Sequence, residues 1–181
     1  MLASPLLLVG CGSSSPRGAS SATTAPTTTA STATTRSGAT QPGTTGPEPY
    51  YEVRAADVKG LGSVLVDGQG FTLYLFVPDK QSGSSTCYNE CAQGWPPLLL
   101  PAGVSTPVGG SGVESTLLGT TKRTDGTTQV TYDKWPLYTY VTDSEPGQAT
   151  GQGVDNLGGL WYVVSPQGRA VTTKTAASSS Y

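Results

Sequence analysis

The sequence contains no histidine, and this absence excludes more chemistry than any other feature of its composition. Histidine is the usual general base of nucleophilic catalysis and the commonest ligand of protein-bound metals. Charge is scarce as well: Lys, Arg, Asp and Glu make up 12% of the chain and the net charge is -2, so no basic surface for nucleic acid is expected. We therefore expect no catalytic residues, no cofactor, no metal site and no nucleic-acid partner.

Residues that favour helices are also few. Glu, Lys and Gln are sparse, whereas the chain carries 24 glycines and 14 prolines together with many threonines and valines. This composition favours strands joined by turns, and no segment shows a helical period over three turns. The sequence predicts an all-β fold, either a small antiparallel barrel or a sandwich.

The first residues resemble the end of a bacterial lipoprotein signal. An apolar run closes with Leu8-Val9-Gly10 and is followed by Cys11, which matches the lipobox pattern. The resemblance implies a signal peptide over 1–10, cleavage before Cys11, and acylation of that cysteine at the outer face of the cytoplasmic membrane or elsewhere in the cell envelope. Because the segment is shorter than ordinary signals and has no basic start, we expect the true chain to begin upstream. The alternative is a secreted protein whose cysteine is incidental.

The next segment, residues 11–49, consists almost wholly of Ser, Thr, Ala, Gly and Pro. Such a segment buries too little apolar surface to offset the conformational entropy lost on folding. We predict a disordered linker that holds a domain away from the membrane, and a flexible tail over 173–181. An all-β domain is expected between them, over 50–172.

Within this domain one phrase occurs twice. Residues 73–79 and 137–143 both read Leu-Tyr-x-aromatic-Val-x-Asp, and each phrase is followed at a similar distance by a tryptophan, Trp95 or Trp161. Two homologous units explain this coincidence best. We predict repeat one at about 61–100 and repeat two at about 117–166, with a segment rich in proline and glycine between them.

The phrase strands are predicted at 71–77 and 135–141. Alternation in the first places Leu73 and Leu75 on one face and Tyr74 and Phe76 on the other. Since both faces are apolar, this strand is expected to lie between two layers. Further strands are predicted at 63–66, 117–123, 127–132, 160–164 and 169–172.

The phrase resembles the motif of a family of bacterial secreted tandem-repeat lipoproteins. That motif, Tyr-x-aromatic-x-x-Asp, is present at Tyr74, Phe76 and Asp79, and again at Tyr138, Tyr140 and Asp143. The resemblance implies an envelope protein with two repeats and no defined biochemical role.

Three interpretations of the motif remain open. The aromatic residues fill the core or the seam between repeats, with bonded tyrosine hydroxyls, and each Asp holds the following loop. Alternatively, the motif residues with Trp95 and Trp161 form a ligand platform. The third interpretation pairs Asp79 with Asp143 as an acid/base couple.

Cys87 and Cys91 form a C-x-x-x-C pair once Cys11 is assigned to lipidation. An exported compartment favours a structural disulfide, which stabilises a loop this short by about 2 kcal/mol. A redox-active pair and a soft-metal site are the alternatives.

These observations favour a lipid-anchored envelope protein that is not an enzyme. Its expected partners are the membrane, through the acyl group on Cys11, and a small ligand, a glycan or another envelope protein. The alternative, from a different functional class, is an extracytoplasmic redox protein that uses Cys87 and Cys91.

Overall fold

A computed structural model describes residues 49–172. The predicted signal peptide at 1–10, lipidation of Cys11, the linker up to residue 48 and the tail 173–181 lie outside the described residues. Between residues 49 and 172, no helix has the length and apolar character needed to cross a membrane.

The described part of the chain contains nine short strands, one short α-helix and two 3-10 turns. The strands are β1 (Glu52–Val58), β2 (Gly62–Asp67), β3 (Tyr74–Phe76), β4 (Val108–Gly109), β5 (Leu118–Lys122), β6 (Thr128–Tyr132), β7 (Trp135–Pro136), β8 (Asp155–Asn156) and β9 (Gly159–Val163). The helix is α1 (Glu90–Gly94), and the 3-10 turns are Val77–Asp79 and Ser115–Leu117.

The strands form three sheets of three strands each, in the orders β2-β1-β4, β3-β9-β8 and β5-β6-β7. All pairs are antiparallel except β1 with β4, which run parallel. The all-β prediction is therefore confirmed. The barrel alternative is not what forms, because the three sheets of the described domain do not close on one another.

Side-chain hydrogen bonds from aspartates stabilise two of the tight turns. In the turn after β2, the Asp67 carboxylate accepts hydrogen bonds from the backbone N–H groups of Gln69 and Phe71, both at 2.9 Å. In the turn between β5 and β6, Asp125 accepts one from Thr127 at 3.0 Å, and Gly126 takes a positive φ of 85°. A short polar side chain followed by glycine suits such turns.

Several local predictions were wrong. The strand β1 was not predicted, because its mixed sequence Glu-Val-Arg-Ala-Ala-Asp-Val shows no clear alternation. The strands expected at 71–77 and 135–141 are regular only over β3 and β7. Outside these strands the chain makes isolated bridges at Thr72 and Tyr138, and Val77 begins the 3-10 turn that contains Pro78. The helix α1 lies in the loop where no helix was expected.

The two phrase strands meet at the centre of the domain. Tyr74 and Tyr138 form an antiparallel bridge, with N–H to O distances of 2.8 Å from Tyr74 and 3.0 Å from Tyr138. A bridge between equivalent residues of two repeats places a local pseudo-twofold axis between them. The repeats are therefore joined through their most similar segments.

Each repeat also contributes its tryptophan segment to the other repeat. The strand β9, which carries Trp161, pairs with β3 of repeat one. The segment after Trp95 pairs with repeat two, where Pro97 bridges Tyr138 and Leu99 bridges Gln129. The two repeats thus exchange strands instead of packing as separate units.

The core has two parts, one on each face of β3. Leu73 and Leu75 belong to one buried cluster, and Tyr74 and Phe76 belong to the other. This confirms that the strand lies between two apolar layers. The face that carries the tyrosines contains most of the large aromatic side chains, and it is there that the motif residues meet.

Candidate functional site

The motif residues form a site at the seam between the repeats, and their polar contacts run crosswise. The Tyr74 hydroxyl donates to Asp143 Oδ2 at 2.6 Å, and the Tyr138 hydroxyl donates to Asp79 Oδ2 at 2.7 Å. The tyrosine of each repeat is therefore bonded to the aspartate of the other. All four side chains are buried, and Tyr74 and Tyr138 expose none of their surface.

The second oxygen of each carboxylate holds a loop of its own repeat. Asp79 Oδ1 accepts from the N–H and the hydroxyl of Thr86, both at 2.7 Å. Asp143 Oδ1 accepts from the same two groups of Thr150, at 2.8 and 2.6 Å. Each threonine lies seven residues after its aspartate, so each aspartate holds the loop that follows it, as one interpretation of the motif predicted.

Four aromatic rings form a continuous stack across the seam. Trp95 and Trp161 lie parallel at the centre, with ring centroids 4.0 Å apart and an interplanar angle of 0°. Tyr140 stacks on Trp95 at 4.0 Å, and Phe76 stacks on Trp161 at 4.1 Å. Each motif aromatic thus packs on the tryptophan of the other repeat, which repeats the crosswise pattern of the hydrogen bonds.

Edge contacts fasten the tyrosines to this stack. Tyr74 meets Trp95 with centroids 5.2 Å apart at 78°, and Tyr138 meets Trp161 at 5.2 Å and 89°. Edge-to-face pairs of this kind contribute about 0.5–1.5 kcal/mol beyond the area that they bury. The indole N–H groups of both tryptophans donate to Asn156, at 3.1 Å from Trp95 and 3.4 Å from Trp161.

Gly151 makes room for the stack. A Cβ at this position would lie 2.6 Å from Trp95 Cη2 and 3.0 Å from Tyr140 Cδ1, closer than real side chains approach. The backbone N–H of Gly151 also donates to the Tyr74 hydroxyl at 3.3 Å. Close approach of the backbone to the rings is therefore why this loop position is a glycine.

A buried arginine breaks the pseudo-symmetry on the side of Asp79. Arg123 is 4% exposed and donates to Ser85 Oγ at 2.7 Å, to Gln129 Oε1 at 2.7 Å and to the Cys87 carbonyl at 2.8 Å. The Ser85 hydroxyl also lies 2.8 Å from the Tyr138 hydroxyl oxygen, whose own proton is donated to Asp79. The guanidinium thus anchors the cysteine loop to repeat two.

Burial dominates the protonation equilibria of the site. It raises the pKa of the Tyr74 and Tyr138 hydroxyls well above their usual range, and the bonded carboxylates of Asp143 and Asp79 raise them further. Burial also raises the pKa of Asp79, against the opposing effect of its bonds from Thr86 and Tyr138. Both tyrosines therefore remain neutral donors, and Asp79 is protonated more readily than an exposed aspartate.

Cys87 and Cys91 form a disulfide with a Cα–Cα distance of 5.2 Å, which confirms the predicted bond. Cys87 is fully buried and Cys91 is 9% exposed, and both belong to the same cluster as the aromatic stack. The bond therefore closes the loop between Asp79 and Trp95 against the core.

The motif residues do not present an open face. Phe76, Trp95 and Trp161 are at most 3% exposed, and only Tyr140 is half-buried. The two carboxylates are held by opposite tyrosines and by their own threonines, so neither Asp79 nor Asp143 faces a cavity that a substrate could enter. Within residues 49–172, no group of three or more Cys, Asp or Glu side chains could hold a metal ion.

Several residues of the site were missed from the sequence: Thr86, Thr150, Ser85, Arg123, Gln129, Gly151 and Asn156. The two threonines could have been found, because in both repeats a threonine follows the motif aspartate by seven residues. No comparable signal marks Arg123, since neither its spacing nor its neighbours are repeated in the other unit.

The fold and the site together define an all-β protein of two repeats that complete each other through a shared motif. The chain belongs to a family of secreted repeats of unknown function, whose family model matches residues 56–99 and 119–165. No curated protein and no solved structure matches the chain. Family membership thus confirms the predicted tandem repeat and its secreted character.

Proposed function

We propose that this chain is a lipid-anchored protein of the bacterial cell envelope and that its folded part is a non-catalytic binding module. The anchor is supported by the lipobox-like sequence Leu8-Val9-Gly10-Cys11 and by the secreted character of the family. Two or three acyl chains are enough to hold a soluble domain at a membrane, because each buried methylene contributes about 0.8 kcal/mol.

The observation that carries the non-catalytic assignment is the crosswise bonding of the motif. Tyr74 is bonded to Asp143 and Tyr138 to Asp79, and all four side chains are buried. A general acid or base must reach the proton that it transfers, and these groups are occupied inside the core. The motif serves to join the two repeats.

A shallow cavity on the surface is the best candidate for binding. It has a volume of about 410 Å³ and lies between residues 58–61, at the end of the first hairpin, and the loop 147–152. Its lining combines apolar Val58 and Leu61 with polar Lys59, Gln148 and Thr150. Mixed walls of this kind suit a small neutral polar ligand, such as one or two sugar units of an envelope glycan.

The anchor is tested by growing cells with a labelled fatty acid and comparing the wild type with the Cys11→Ala variant. We expect label and membrane pelleting in the wild type and loss of both in the variant. A Cys87→Ser/Cys91→Ser variant is the matched control, because it removes two thiol positions and should stay in the membrane fraction. An unlabelled wild-type protein would refute the anchor.

The binding role is tested by replacing Ala149 with Trp, which fills the cavity, while Ala102→Trp on an exposed loop serves as control. We expect the first variant to lose at least about tenfold in affinity for envelope oligosaccharides in titration calorimetry, which is the loss of about 1.4 kcal/mol. No measurable binding by the wild type, or equal binding by both variants, would contradict the binding role.

One observation favours a second candidate, an extracytoplasmic redox protein. The Cys87–Cys91 disulfide lies in the same buried cluster as the stack of Trp95 and Trp161. A measured disulfide potential above about -200 mV would place it among catalytic oxidants, whereas structural disulfides lie below about -300 mV. We expect the lower value, together with a loss of about 2 kcal/mol in unfolding free energy when both cysteines become serine.

A further inference from the structure

The seam between the repeats has the character of an interface between two copies of one unit. Equivalent groups pair across it: Tyr74 bridges Tyr138, and Trp95 stacks on Trp161. In an isologous interface, residue i of one copy contacts residue j of the other and the reverse contact also occurs. The bonds from Tyr74 to Asp143 and from Tyr138 to Asp79 follow this rule.

Neither repeat completes its own site. Repeat one supplies Tyr74 and Asp79 but needs the carboxylate and the tyrosine of repeat two. Its strand β3 takes its ladder partner β9 from repeat two, and it gives the segment 97–100 in return. A repeat without its complement would expose buried aromatic rings and leave two buried polar groups without their partners.

The connection between the repeats is held less tightly than the seam, with Val104, Val113 and Leu117 packed only partly buried against the core. No residue from 101 to 117 is buried. Its regular pairing is limited to β4, which makes a two-residue parallel ladder with β1, and a neighbouring bond joins the Ala55 N–H to the Ser111 carbonyl at 2.8 Å. A change in the path of this segment would therefore lose this partial packing, the β4 ladder and a few bonds such as that from the Glu114 N–H to the Tyr132 hydroxyl, while the buried seam stays intact.

We propose that a second copy of this chain is a partner, and that the two copies associate by exchanging repeats. Repeat one of each copy pairs with repeat two of the other, through the same strands, stack and Tyr–Asp bonds that the single chain makes within itself. Every contact of the seam is then kept, and only the path of residues 101–117 differs. Exchange of identical elements is a low-cost route to dimers for this reason.

Concentration decides between the two forms. Within one chain, the connecting segment holds the repeats at an effective concentration on the order of millimolar. Exchange is therefore favoured when chains fold close together at comparable concentration. Once formed, the dimer persists, because separating it requires the whole aromatic core to open.

An exposed contact across the seam provides the test. The Gln81 side chain of repeat one donates to the carboxylate of Asp133 in repeat two at 2.8 Å. Two full chains, each with Cys11→Ser to remove the free thiol, carry Gln81→Cys and Asp133→Cys respectively. They are unfolded in denaturant without reductant, refolded together at about 0.5 mM, and treated with a short bismaleimide.

Exchange places the two new thiols side by side in different chains. We expect at least about tenfold more crosslinked dimer in this mixture than when either variant is refolded alone. In a dimer of the Gln81→Cys chain with itself, each new thiol lies beside an unmodified Asp133 and has no second thiol to react with. Both substitutions in one chain should give an internally crosslinked monomer, which shows that the thiols are within reach. Equal dimer in mixed and separate samples would overturn the proposal.

A second pair of cysteine substitutions keeps the test decisive if the first pair impairs folding. Gly94 in repeat one and Leu157 in repeat two are also adjacent, because a Cβ on Gly94 would lie 3.6 Å from Leu157 Cδ1. We expect Gly94→Cys and Leu157→Cys to give the same mixed crosslink. The dimer isolated by gel filtration should also remain a dimer after dilution to about 5 µM, and rapid return to monomer would exclude repeat exchange.

Discussion

The crosswise hydrogen bonds make a prediction that separates two arrangements that the motif allows equally. Within each repeat, tyrosine and aspartate lie five residues apart, so the motif is compatible with a bond from Tyr138 to Asp143 as well as to Asp79. The structure pairs Tyr138 with Asp79 at 2.7 Å instead. A double-mutant cycle measures which pair interacts, since coupling appears only between residues in contact or in one network.

The expected magnitude follows from burial. Asp79 is 1% exposed and Tyr138 is fully buried, so water does not replace the lost bond when Tyr138 becomes Phe. Hydrogen bonds to a charged group contribute about 1.5–3 kcal/mol, and a domain of this size loses about 3–6 °C in Tm for each kcal/mol. Tyr138→Phe should therefore lower the Tm by roughly 5–18 °C.

The assay is urea unfolding followed by tryptophan fluorescence, which reports on the stacked pair at the seam. We expect a coupling energy of about 1–3 kcal/mol between Tyr138→Phe and Asp79→Asn, and less than about 0.5 kcal/mol between Tyr138→Phe and Asp143→Asn. The second cycle is the matched control, because it uses the same tyrosine and the same kind of carboxylate. Stronger coupling to Asp143 would refute the crosswise seam.

Three further predictions follow from the same contacts. Burial raises the pKa of Asp79, so folding favours its protonated form. Its contribution to stability is therefore fully present below the unfolded-state pKa of 3.8 and is lost as the pH rises through the raised pKa. The loss of unfolding free energy caused by Asp79→Asn should be smaller at about pH 7 than at about pH 4, and a flat or opposite trend would contradict this. Gly151→Ala should lower the free energy of unfolding by about 1–3 kcal/mol, because the new methyl group meets Trp95 at 2.6 Å. Gly94→Ala is the control: its new methyl group has no neighbour closer than 3.6 Å, so the loss measured in the same urea titration should be smaller. Arg123→Met should lower the free energy of unfolding by roughly 2 kcal/mol or more, since it leaves buried oxygens without a donor. An unchanged Tm in thermal melting would contradict a stabilising role for the Arg123 guanidinium.

Local patterns were enough to predict much of the fold. The repeated phrase and the matching tryptophans indicated two units, and the alternation of Leu73 with Tyr74 placed two apolar layers around one strand. These inferences held because a strand directs successive side chains to opposite faces whatever its partner is. The strand β1 escaped prediction, since its polar residues are accommodated by contacts with β2 and β4 that no local pattern reveals.

The sequence by itself determined that two copies of the motif exist and that their tyrosines, aromatics and carboxylates are chemically equivalent. For that reason it could not determine which carboxylate each tyrosine binds. Asp79 and Asp143 offer the same group in the same local context, so both pairings satisfy the pattern. Only the tertiary path of the chain, which sends each tryptophan strand into the other repeat, brings Tyr74 to Asp143 and Tyr138 to Asp79.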